Sequence, residues 1–103
     1  MRARILLVED DTSTRIALVH WLRQAGYDVT DVADGETAID LLENEVFDVV
    51  VADIFLGSID GVEVLHTARL QPYHPEVILL TGHGSLDTAI AAVRAGAFDY
   101  LQK

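Results

Sequence analysis

With 103 residues, half of them hydrophobic and 23% charged, the chain can build one core but not two, and it is too apolar to be disordered. Its net charge of −10 would repel phosphates, so no direct nucleic-acid binding is expected. The chain has no cysteine, which excludes disulfides and thiolate metal sites. It also has no signal-peptide pattern and no apolar run of membrane-span length, so it reads as a cytoplasmic protein away from the membrane.

The first element is Ile5-Leu6-Leu7-Val8, an unbroken apolar run ended by Glu9-Asp10-Asp11, which is the pattern of a buried parallel strand. Asp11, Thr12 and Ser13 each offer a helix N-cap. Leu18, Trp21, Leu22 and Ala25 recur at helical spacing, which assigns Trp21 to the core. Ile16 and Val19 widen that stripe, and Gly26 closes the helix. Residues 27–32 alternate apolar and polar, as a strand with one wet face does. Asp34-Gly35 reads as a turn, followed by a helix over residues 37–45 with Ala38, Leu41 and Leu42 inward.

Next comes Phe47-Asp48-Val49-Val50-Val51-Ala52-Asp53, a central buried strand that ends in a carboxylate. Taken alone, Asp53 is either a turn residue or a ligand at the strand end, where open parallel sheets bind. A helix over residues 61–70 carries Val62, Val64, Leu65 and Ala68, and Pro72 and Pro75 break it. Residues 77–81 form a fourth strand, residues 86–95 a helix, and residues 98–102 a short fifth strand. This alternation specifies a doubly wound α/β fold with a parallel sheet, one domain over residues 1–103. A fifth helix is expected after the last strand, and the chain stops before it. That should leave apolar surface bare on the face shared with the first helix and favour self-association, including a homodimer.

All strand C-termini of such a sheet share one edge. There stand Glu9 and Asp10, Asp53, Thr81 and Lys103. Three neighbouring carboxylates repel unless some protonate or a hard divalent cation joins them, and Mg²⁺ commonly bridges carboxylates to a phosphate. A lysine can balance phosphate charge and a threonine hydroxyl can donate to it. An aspartate carboxylate can itself be the nucleophile of phosphoryl transfer. His20, His66 and His74 lie on separate segments and suggest no metal cluster.

With these residues in view, the chain resembles the receiver domain of bacterial two-component response regulators. The match rests on Ile5-Leu6-Leu7-Val8-Glu9-Asp10-Asp11, Asp53, Asp60-Gly61, Leu80-Thr81-Gly82 and Gly96-Ala97-Phe98-Asp99-Tyr100-Leu101-Gln102-Lys103. The wording from Thr81-Gly82-His83-Gly84 to Ala89-Ile90 resembles transcriptional regulators of the nitrogen-regulation or FixJ type. The resemblance implies a flavodoxin-like strand order 2-1-3-4-5. It makes Asp53 the acceptor of a phosphoryl group from a sensor histidine kinase or phosphotransfer protein. Asp10 and Asp53 become ligands of Mg²⁺ or Mn²⁺, with Asp10 bound directly, Glu9 a ligand through water and Asp11 a helix cap, and the Phe55 carbonyl completes the set. Thr81 and Lys103 bind the phosphoryl oxygens, and Tyr100 moves as an aromatic switch. An output domain, transcriptional in the nearest types, follows the chain.

Two departures from the family pattern stand out. Gly57 replaces the usual proline, and Phe55 brings an apolar ring to a position that is often polar. Phe55 is expected to tune phosphate lifetime, and His83 reads either as a second such group or as an ordinary loop residue. The rival reading on the same fold is a pseudo-receiver that acts only by interaction. A phosphatase of related sheet would need an aspartate where Phe55 stands, and a nucleotide enzyme a glycine-rich loop where Glu9-Asp10-Asp11 stands. The preferred reading is a two-state signalling switch rather than an ordinary enzyme.

Overall fold

A computed structural model describes residues 2–53, 61–81 and 99–102, with side chains through residue 80. The elements run β1 Arg4–Val8, α1 Thr12–Gln24, β2 Asp28–Val32, α2 Gly35–Asn44, β3 Val49–Asp53, α3 Gly61–Arg69, β4 Glu76–Thr81 and β5 Asp99–Gln102. The sheet is parallel and five-stranded, in the order β2-β1-β3-β4-β5. The expected helix over residues 86–95 and the Gly57 loop lie outside the described residues.

The unbroken apolar run of β1 is explained by burial on both faces: Ile5, Leu6, Leu7 and Val8 are all buried. One face of the sheet packs on α2 and α3 through Leu6, Val8, Leu42, Val50, Val64 and Leu65. On the other face, Ile5, Leu7 and Val29 meet Leu18, Val19 and Leu22 of α1. The first face is the drier one. Val49, Val51 and Ile78 on the α1 side are only half-buried.

Helix α1 faces the sheet differently from the stripe expected of it. Trp21, assigned to the core by its spacing, is 66% exposed, and Ala25 is exposed too. Val19, placed only at the margin of that stripe, packs inward instead. At 3.6 residues per turn Trp21 lies about 100° around the helix from Leu22, on the flank of the buried face. The turn toward Val19 coincides with two arginine ties to β2. Arg23 Nη2 donates to Val29 O at 3.1 Å, and Arg15 Nε lies 3.4 Å from Asp31 Oδ2.

Local signals account for most boundaries. Asp11 caps α1, its carboxylate accepting the Thr14 amide at 2.8 Å. Gly26 follows the helix end with φ 95°, a conformation open to glycine at little cost. Asp34-Gly35 is not a separate turn: Gly35 already belongs to α2 and Asp34 is its N-cap. The Thr37 amide donates to Asp34 Oδ1 at 2.7 Å and holds that carboxyl below its ordinary pKa.

Strand β2 is one of the two outer strands of the sheet, and its alternation matches its half-exposed state. The Asp28 amide donates to Ala3 O and Val32 O accepts from the Glu9 amide, so residues 28 and 32 turn their backbones toward β1. Val29 and Asp31 therefore turn theirs outward.

Candidate phosphoacceptor and metal site

The site follows from strand register. Val8 pairs with Ala52, so the next residues, Glu9 and Asp53, leave the sheet side by side at the end of two adjacent strands. Because β2 and β3 flank β1 on opposite sides, this point is where the winding of the sheet reverses. Crevices at such points are the usual ligand sites of open α/β sheets. Asp53 in turn pairs with Leu80, which puts Thr81 one step further along β4, and Thr81 pairs with Gln102 of β5.

Glu9 and Asp53 are buried, at 0% and 6% exposure, while Asp10 is exposed. One carboxylate oxygen from each of Glu9, Asp10 and Asp53 falls within 4.8 Å of the others. All three donors are anionic oxygens, which suits a hard divalent cation such as Mg²⁺ and does not suit a soft one. Two of the three carboxylates are buried, where repulsion between ionised groups is strongest and a cation would relieve most. Two carboxylates and a cation could hold a phosphoryl group against the third carboxylate.

Asp11 stands apart from this group. Its Oδ2 accepts both the Thr14 amide and the Thr14 hydroxyl, at 2.8 and 2.7 Å, so it caps the helix as expected. The Asp11 amide in turn points at Glu9 Oε2 at 3.4 Å, and the Glu9 amide donates to Val32 O at 3.1 Å. Arg15 Nη1 donates to the Glu9 carbonyl at 2.9 Å. Arg15 was not singled out by sequence, where it is one charged residue of a helix. Its position four residues after the Asp11 cap, at the start of the inward face, was the available signal.

Thr81 and Tyr100 are placed on β4 and β5 by their backbones, while their side chains lie outside the described residues. Phe55, His83 and Lys103 lie outside them altogether. Among the described residues no helix is long and apolar enough to cross a membrane.

A family model described as the response regulator receiver domain matches residues 5–103. Among curated proteins, the response regulator FleR of Pseudomonas aeruginosa is 39% identical over 103 residues, covering all of this chain and 22% of FleR. The transcriptional regulatory protein FixJ of Bradyrhizobium diazoefficiens is 32% identical, covering 99% of this chain and 50% of FixJ. The chain thus spans half or less of these relatives. Among solved structures, a CheY-like receiver domain protein of Methanospirillum hungatei superposes with a TM-score of 0.93 at 32% identity, over 100% of this chain and 82% of that one. The receiver domain of a Pseudomonas aeruginosa sensor histidine kinase, with magnesium coordinated in its active-site cleft, gives a TM-score of 0.89 at 32% identity, over 100% of this chain and 86% of that one.

Proposed function

The chain belongs to the response regulator receiver domain family, and we propose that it accepts a phosphoryl group on Asp53 from a histidine kinase or phosphotransfer protein in a reaction that needs Mg²⁺ or Mn²⁺. The observation that carries this reading is the meeting of the Glu9, Asp10 and Asp53 carboxylates at the β1–β3 edge. The magnesium in the cleft of the related sensor-kinase receiver supports the cation.

In the proposed step an Asp53 carboxylate oxygen attacks phosphorus. The P–N bond to the donor's histidine breaks, and its electron pair leaves on the imidazole nitrogen. The cation, when bound, offsets negative charge on the phosphoryl oxygens and the carboxylates. Asp10 and Asp53 are the proposed carboxylate ligands, Glu9 would act through water, and the Phe55 carbonyl would complete the protein's share. Burial of Asp53 keeps bulk water from the acyl phosphate and leaves the Asp10 side as the approach for the donor.

Thr81, which the register brings toward the same edge, and Lys103, the residue that follows β5 in the sequence, are the proposed partners of the phosphoryl oxygens. Tyr100 is the proposed switch residue, and Phe55 and His83 are proposed to tune hydrolysis. Phosphorylation adds a charge of roughly −1.5 to −2 and strong acceptors, enough to shift a two-state loop and strand. Output through a further domain, transcriptional as in the curated relatives, belongs to this proposal. So do a cytoplasmic location, covering of the half-buried α1 side by a further helix, and homodimer formation.

Intact-mass measurement after incubation with acetyl phosphate and Mg²⁺ tests the reading. One phosphate per chain, lost in Asp53→Asn and in EDTA, is expected. An unmodified wild-type chain, or modification that persists in Asp53→Asn, would overturn it.

A further inference from the structure

The acidic site depends on where a short backbone segment runs. Glu9 is anchored by burial, and Asp11 by its role as a helix cap. Asp10 between them is exposed, so its carboxylate takes its place from the peptide that links it to Glu9. That peptide is planar, and fixing its carbonyl fixes the start of Asp10.

We infer that Arg15 is a positioning residue for this site: its guanidinium, braced by Asp31, grips the Glu9 carbonyl and so sets where the Asp10 carboxylate stands. Three observations carry the inference. The Arg15 side chain is only 19% exposed, so it is held rather than free in solvent. Its Nη1 donates to Glu9 O at 2.9 Å while Nε faces Asp31 Oδ2 at 3.4 Å, two directions that the planar fork can serve at once and an ammonium cannot. The Glu9 amide is bound to Val32 O at 3.1 Å, so the residue is pinned on both of its peptide groups, each time to β2 or to a side chain braced by β2.

Arg15 carries a positive charge beside a site for a cation. By charge alone it would weaken cation binding, and its removal would strengthen it. A positioning role has the opposite sign, which makes the two roles separable. The metal arm of this inference rests on the proposed function, since it concerns the cation site of that reading.

The test is calorimetric titration of Mg²⁺ into the full chain, with urea denaturation alongside to verify folding. Arg15→Lys keeps the charge and loses the fork, and Arg15→Ala loses both. Each is expected to weaken Mg²⁺ about tenfold, the usual scale for groups that orient a metal ligand. Asp31→Asn leaves Arg15 in place without its brace. It should weaken Mg²⁺ by a smaller factor, and that factor should vanish in the Arg15→Lys background. Tighter binding in Arg15→Ala, binding within twofold of wild type in Arg15→Lys, or an undiminished Asp31→Asn effect in the double variant would overturn the inference.

Amide chemical shifts of Asp10 and Asp11 in the metal-free protein supply the readout that needs no cation. They should move in Arg15→Lys, and unchanged shifts would overturn Arg15's role. A wild-type chain that binds no Mg²⁺ would instead remove the proposed metal function, and the shifts would still decide whether Arg15 holds the segment.

Discussion

Arg4 and Asp48 bind each other twice. The Arg4 amide donates to Asp48 Oδ2 at 2.7 Å, and the Asp48 amide donates back to the Arg4 carbonyl at 2.9 Å. The Arg4 guanidinium then reaches over the Phe47 ring, 4.9 Å from its centroid, to Val46 O and Glu45 Oε1. One residue at the start of β1 thereby clamps the whole turn between α2 and β3.

Removing the side-chain part of that clamp should cost stability and leave the chemistry alone, since the two bonds to Asp48 use the Arg4 main chain and persist. Arg4→Ala is expected to lower unfolding free energy by about 1 kcal/mol, since exposed pairs contribute little and hydrogen bonds about that much. Five residues of strand put Arg4 roughly 16 Å from Glu9, so Mg²⁺ affinity and Asp53 labelling should match wild type. Urea denaturation and mass measurement on the same sample check both halves.

Tyr73 ties the segment after α3 to α2, its hydroxyl donating to Leu42 O at 2.8 Å. Burial pushes this phenol above its ordinary pKa, with the Arg4 charge pulling the other way. The unfolded chain therefore ionises first, at about pH 10. Stability from this group is whole below that pH and is lost as pH rises through the folded value. Tyr73→Phe should cost about 1 kcal/mol at neutral pH. It should also flatten the alkaline fall of stability, read by denaturation at a series of pH values; an unchanged alkaline slope would contradict this account.

Exposure makes Trp21 dispensable for folding. Trp21→Gln should change stability by no more than about 0.5 kcal/mol. Phe47→Ala, at a site only 1% exposed, should cost about 3–5 kcal/mol. Comparable losses in the two variants would mean that Trp21 is packed in solution.

Three carboxylates within 4.8 Å repel one another when ionised, and the proposed cation would relieve that repulsion. In EDTA, Asp10→Asn should therefore be more stable than wild type, by on the order of 1 kcal/mol, the repulsion of two unit charges about 4 Å apart in water. Mg²⁺ at about a hundred times its dissociation constant should raise wild-type stability by roughly 2.7 kcal/mol and leave Asp10→Asn almost unmoved. Thermal melts with and without the metal measure both.

Much of this arrangement was legible in the sequence because strand ends are loud signals. Runs such as Ile5-Leu6-Leu7-Val8 and Val49-Val50-Val51-Ala52 stop abruptly at acids, and parallel topology then gathers those acids on one edge. The register that sets Glu9 beside Asp53 follows once both strands are known. Trp21 was misassigned because a helical stripe is wide and its centre cannot be read to within one residue. Arg23 and Arg15, bound to the β2 edge, accompany a face turned toward Val19. Arg15 and Arg4 escaped notice for a related reason: each binds a main-chain carbonyl, Glu9 O and Val46 O, and such partners leave no mark in a sequence.

Arg23 at Val29 O has a consequence for how these molecules meet one another. The open side of an outer strand is a template on which a foreign strand can grow, and β2 is such a strand. Here a guanidinium already occupies one of its outward carbonyls, and the neighbouring outward residue, Asp31, holds a second arginine. An incoming chain would have to evict Arg23 and accept the company of a carboxylate before making its first rung. Arg23 thus guards part of this rim against strand addition, and it stands on the same helix that brings Arg15 to the acidic site.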